Sequence, residues 1–175
     1  MARTTDEPLL LGEWACLGLL CAAPAHGFAI AARLRRGGDV GRVWSLSRPL
    51  TYRSLDQLAA RGYVEVIGEE PGLAGGNRTI LAATKAGRAQ LRRWLRTPVT
   101  HLRDLRSELL LKLLLADECG IDVGSMLVEQ RRLMGALSNA LDADVERDGA
   151  LDVVALWRSE SSRAALRFLD RVLAG

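Results

Sequence analysis

The hydrophobic period of this chain changes at Gly62, and that change limits its possible folds more than any other feature. Before it, apolar residues recur about every 3.6 positions; after it they alternate. Trp14, Leu17, Leu20 and Cys21 form a stripe on a helix over Leu11–Ala22, which Pro24 stops. His26-Gly27 opens a second helix running through Arg36, with Phe28, Ile30, Ala31 and Leu34 at helical spacing, and Gly37-Gly38 ends it. Residues 39–46 are connector. Ser47 caps a third helix with Pro49 in its first turn, where a missing amide costs nothing, and Leu55, Leu58 and Ala59 face inward. Gly62 is a left-handed stop. Residues 63–67 and 78–83 then read as two strands, joined by a Gly/Pro-rich tip over 69–77 that is too long for a two-residue turn. Three helices followed by a long-tipped hairpin is the winged helix-turn-helix order, in which the third helix is the groove reader.

Thr84 caps a fourth helix running to about Thr97, with Ala86, Leu91, Trp94 and Leu95 on one side and Arg88, Arg92, Arg93 and Arg96 on the others; Pro98 closes it. Long helices are expected over 102–116, 122–147 and 151–173, with a break at Asp148-Gly149. Leu127, Met134 and Leu141 are seven apart, and Val154, Trp157, Ala164, Phe168 and Val172 approximate a second seam, the pattern of an antiparallel helical hairpin. The expected architecture is mainly α: a winged helix-turn-helix domain over 1–97 and a helical dimerisation domain over 98–175.

Composition narrows the functions. A 49% hydrophobic and 26% charged chain of 175 residues has the material for a core and is not disordered. Its most apolar early stretch, residues 9–23, carries Glu13 and lacks a basic lead, so neither a membrane span nor a secretory signal is expected, and the chain reads as cytoplasmic. Cys16, Cys21 and Cys119 make an odd count, which favours reduced thiols. With only His26 and His101, and no metal spacing or nucleophile constellation, no cofactor, metal site or enzyme activity is expected. Charge divides the chain: residues 1–96 carry 14 basic and 8 acidic side chains, and residues 97–175 carry 10 basic and 13 acidic. The basic half suits a polyanion and the acidic, Leu-rich half suits association.

Four motifs in register resemble the PadR family of bacterial transcriptional regulators. Ala15 to Leu20 followed by Pro24-Ala25-His26-Gly27-Phe28 is similar to that family's apolar helix, proline turn and His-Gly-Tyr opening, with Phe28 in place of Tyr. Trp44-Ser45-Leu46-Ser47 with Tyr52-Arg53-Ser54-Leu55-Asp56-Gln57-Leu58, closed by Gly62-Tyr63-Val64, resembles its recognition helix. Thr84-Lys85-Ala86-Gly87 with Trp94-Leu95 resembles its wing exit and following helix. Thr51 and Leu81 depart from the pattern, standing where Leu and a wing Tyr are usual. The resemblance implies a homodimer that binds an inverted-repeat operator in double-stranded DNA, most often as a repressor, with the C-terminal helices making the dimer. It also implies a small aromatic effector that stacks on fourth-helix aromatics.

A duplex reader needs donors and acceptors on an exposed helix face. Ser47, Arg48, Thr51, Tyr52, Arg53 and Gln57 are the candidates on the third helix, with Arg78 at the wing base. Tyr52 has two readings, packing and contact. His26 also has two, an ordinary turn histidine or a phosphate contact at a helix N-terminus. Trp94 and Trp14 are the effector candidates, against the commoner reading as core or interface tryptophans. A different class of function stands beside these: a winged-helix protein-interaction module without specific DNA binding.

Overall fold

The computed structural model describes residues 7–71, 77–147 and 152–175. The central part of the wing tip (72–76) and the expected break at Asp148-Gly149 lie outside them. The elements in chain order are α1 (Leu11–Ala22), β1 (Ala25–His26), α2 (Gly27–Leu34), α3 (Arg48–Ala60), β2 (Val64–Pro71), β3 (Asn77–Ala83), α4 (Lys85–Leu95), a 3-10 turn (Leu102–Asp104), a π turn (Leu105–Leu109), α5 (Leu110–Glu118), α6 (Gly124–Arg147) and α7 (Val153–Ala174). The fold is mainly helical, with one small antiparallel sheet ordered β1-β3-β2. No helix among the described residues is long and apolar enough to cross a membrane.

The chain forms two compact units, one made of residues up to Leu95 with Leu110–Asp122, the other of Arg96–Leu109 with Val123–Gly175. In the first, α1 is the central helix: Ala15, Cys16, Leu17, Leu19 and Leu20 are all buried, together with Leu34, Leu58, Leu91, Leu95 and Leu115. Glu13, in the first turn of α1, accepts from the Leu10 amide at 2.8 Å, and Arg88 donates to the Cys21 carbonyl at 2.6 Å, so a side chain supplies one bond at each end of this buried helix. Pro24 leads into β1, an unexpected two-residue strand that pairs Ala25 with Leu81 and His26 with Ile80 on β3. β2 and β3 pair from Val64–Ala83 out to Pro71–Asn77, with an irregularity between Val66 and Gly68. Gly62 has φ +70°, the left-handed stop that the period change predicts. Arg33 bonds Asp39 at 2.5 Å and Glu118 at 2.7 Å, tying α2 to the end of α5 and holding the Asp39 carboxyl below its usual range.

Residues 102–116 do not make the single helix that the sequence suggests. Leucines at 102, 105, 109, 110, 111, 113, 114 and 115 are too dense for periodicity to mark a register. The π turn uses that ambiguity to change the buried side, from its own Leu105 and Leu109 to Leu111, Lys112 and Leu115 after it.

In the second unit α6 and α7 run antiparallel, as Arg131–Asp170 (2.7 Å), Ser162–Ser138 (2.9 Å) and Ser159–Asp142 (2.5 Å) show. Gln130, fully buried, accepts from the Val99 amide at 2.8 Å and donates to the Val99 carbonyl at 2.9 Å, fixing the segment after α4 to α6. Met126, Leu127, Met134 and Leu141 are buried, so the heptad reading of α6 holds. The α7 seam does not: Val154, Trp157, Ala164, Phe168 and Val172 are all exposed, and α7 packs instead through Ser159, Ser162 and Leu169. Two buried serines at the helix contact allow close approach and hydrogen bonding, which hydrophobic periodicity cannot register.

Candidate nucleic-acid interface

Ser47 is the cap of α3; its hydroxyl faces the Leu50 amide at 3.5 Å, and Pro49 occupies the first turn. The inward stripe of α3 is Thr51, Leu55 and Leu58, spaced four and three apart. Thr51 therefore belongs to the core, not to the exposed face proposed from sequence: it is 0% exposed, and its hydroxyl donates to the Ser47 carbonyl at 3.1 Å. Arg48, Tyr52 and Arg53 are exposed and Gln57 is half-buried. Asp56, exposed and four residues beyond Tyr52, continues the Arg48–Tyr52 stripe; the same i+4 spacing would have identified it, and its carboxylate suits the amino group of a cytosine.

Phe28 gathers the charged groups. It is 51% exposed, with the Arg48 guanidinium 5.4 Å and the Arg78 guanidinium 5.9 Å from its ring centre. Arg48 also lies 5.8 Å from the Tyr52 ring centre. Contacts of this kind are worth about 0.5–1 kcal/mol each when exposed, enough to bias long side chains toward one arrangement. Tyr52 rests on Gly27: a Cβ there would lie 2.8 Å from its Cε1, which accounts for a glycine after His26. Tyr52 remains 38% exposed, so it combines the two readings, one edge packed and one available. The sequence places Phe28 in the apolar stripe of the second helix and as a substitution for Tyr, which hides its exposed position beside the arginines, because an aromatic in a helical stripe reads as core.

His26 caps α2, with Nδ1 accepting from the Ala29 amide at 3.0 Å, and its Nε2 lies 3.4 Å from Nη1 of Arg78. The β1–β3 pairing produces this meeting by setting His26 opposite Ile80, two residues from Arg78. The structure thus brings half-buried His26 and Arg78 together with exposed Arg48 and Tyr52 around Phe28, beside the N-terminal turn of α3. Glu69 and Glu70 are exposed on β2, and Asn77 donates to Glu69 at 2.7 Å across the strands.

The effector candidates are elsewhere in the same unit. Trp14 and Trp94 stack on each other, with ring centres 4.7 Å apart and planes 6° from parallel. The ammonium of Lys112, only 1% exposed, lies 4.9 Å from the Trp94 ring centre. Burial pushes the Cys16 thiol up to about 12 and the Cys21 thiol up to about 11, and raises Cys119 as well, so thiolate chemistry at neutral pH is suppressed at all three. Among the described residues no group of three or more His, Cys, Asp or Glu is placed to hold a metal.

No sequence-family profile and no curated protein matches the chain. Solved structures do. Bacillus subtilis PadR, crystallised in complex with operator DNA, matches at 18% identity with a TM-score of 0.50, covering 95% of this chain and 99% of that one. A PadR-like transcriptional regulator from Bacillus cereus matches at 21% identity and a TM-score of 0.40, covering 93% and 96%. At such identities a likeness is one of fold, and from the first of these structures the conclusion is that this chain shares the fold of Bacillus subtilis PadR along nearly its whole length: a winged helix with C-terminal helices.

Proposed function

We propose that the protein is a PadR-type transcriptional regulator that works in the cytoplasm and reads an inverted-repeat operator as a homodimer, acting as a repressor. The observation that carries this reading is the cluster around Phe28 of exposed Arg48 and Tyr52 with half-buried Arg78 and His26, at the N-terminal end of the helix that winged-helix proteins seat in the major groove. Arg48, Arg53 and Gln57 supply base-edge or phosphate donors, Ser47 a phosphate donor at the cap, and Asp56 an acceptor. Thr51 supports the helix from beneath. The exposed apolar residues of α7, above all Val153 and Trp157 at 69% and 72% exposure, are the surface for a second copy of the chain. A dimer of this kind sets two α3 helices about 34 Å apart, one turn of duplex. A flat aromatic effector would stack at the Trp14–Trp94 pair, half-buried in α1 and α4.

The test is fluorescence anisotropy of the full chain on its own upstream DNA and on a scrambled duplex, from low to physiological salt. The expected result is a preference for the upstream DNA that persists at physiological salt, with affinity falling steeply as salt rises. Equal affinity for both duplexes throughout would overturn operator reading and favour the interaction-module alternative.

A further inference from the structure

Two hydrogen-bond donors converge at the base of the wing. His26 Nδ1 accepts from the Ala29 amide at 3.0 Å, so that nitrogen carries no proton and the ring proton sits on Nε2. Nε2 in turn lies 3.4 Å from Nη1 of Arg78, and a guanidinium nitrogen can only donate. Moving the ring proton to Nδ1 would let Nε2 accept from Arg78, but would set an N–H against the Ala29 amide and open the cap of α2. Whichever tautomer is drawn, one acceptor is missing. The helix cap fixes which one, and among the described residues no side chain supplies it between His26 Nε2 and Arg78. The Arg78 and Arg48 guanidinium groups lie 5.9 and 5.4 Å from the Phe28 ring centre, so positive charge is gathered around the same ring. The N-terminal amides of α2 add the positive end of its dipole.

We infer that this junction is a phosphate clamp, in which one non-bridging oxygen of a DNA phosphodiester accepts jointly from His26 Nε2–H and Arg78, with Phe28 as the platform that positions the arginines. The inference rests on the DNA-binding reading and adds a specific partner atom to it. It also assigns unlike roles to the two residues. Arg78 neutralises the phosphate and displaces a counterion, whereas His26, as a neutral donor, contributes a directional bond and displaces none.

Asparagine reproduces the geometry of His Nδ1 without a group at Nε2, so His26→Asn keeps the α2 cap and removes the donor. On the upstream duplex, His26→Asn is expected to weaken binding about tenfold with the slope of log affinity against log salt unchanged. Arg78→Met is expected to lower affinity and to reduce that slope by about one. The double variant is expected to lose less than the two single losses combined, because both donors serve one oxygen. Circular dichroism and a melting curve matching the parent would establish that His26→Asn folds. The clamp is overturned if a folded His26→Asn protein binds as the parent does, or if its salt slope drops as that of Arg78→Met does. These outcomes separate from failure of the wider reading. A parent chain that binds scrambled and upstream DNA equally has no operator, yet the clamp is still tested on either duplex, since every duplex presents phosphates. A parent chain that binds neither overturns both.

Discussion

A Cβ on Gly87 would lie 2.2 Å from the Tyr63 carbonyl oxygen, a backbone atom that cannot move aside cheaply. Three residues earlier, Thr84 accepts from the Gly87 amide at 3.1 Å and donates to the Gly62 carbonyl at 2.7 Å. The Thr-x-x-Gly spacing is therefore the closure of α4 onto the turn that enters the wing. Gly87→Ala is expected to destabilise the fold by about 2–3 kcal/mol, as overpacking does, seen as a lower urea midpoint with an unchanged m-value. The motif was legible as a motif; why it needs glycine was not, because the carbonyl it approaches is distant in sequence. Thr51 was misread for a different reason. Its polar type suggested an outward position, while its spacing from Leu55 and Leu58 already placed it inward. At such a position spacing outweighs side-chain polarity.

At the scale of the element, α1, α3, the two wing strands and α4 were legible to within a few residues, since periodicity, caps and glycine stops agree there. β1 was not legible, because two residues carry no period and only pairing with β3 makes them a strand. The break of 102–116 into 3-10, π and α turns was hidden in a leucine run that fits any register. The wing carries a charge conflict with its expected role: Glu69 and Glu70 are exposed on the strand that pairs with the Arg78 strand. Paired replacement Glu69→Gln, Glu70→Gln keeps an acceptor for Asn77 and removes two negative charges from beside the duplex. DNA affinity is expected to rise several-fold at low salt, and the gain to shrink as salt screens it. A wing clear of the duplex would give no change at either salt.

Across the whole molecule, the basic half of the chain forms most of the first unit and the acidic half most of the second, but α5 joins the first. No composition shift marks that exchange. The helical hairpin of α6 and α7 was legible as a hairpin, whereas its packing face was not. The apolar residues of α7 that fit a heptad are the ones left exposed, and serines make the contact with α6. Periodicity finds an apolar face without saying whether it meets its own chain or another copy. Trp157→Glu is therefore expected to leave the fold intact and to shift sedimentation from dimer toward monomer at micromolar concentration, with specific DNA affinity falling as the second half-site is lost. A Trp157→Glu protein that still sediments as a dimer would place the interface elsewhere.

The parallel indoles of Trp14 and Trp94 also give the molecule an optical signature. Chromophores held face to face at 4.7 Å share their excited states, and the Lys112 ammonium lies close enough to perturb them. The circular dichroism of that coupled pair reports directly on the contact between α1 and α4. In the other unit, Trp157 is 72% exposed in the single chain, so its access to a dissolved quencher reports on whether a second copy covers that face of α7. The two units thus carry different natural reporters, and their unfolding can be followed separately in one unlabelled sample.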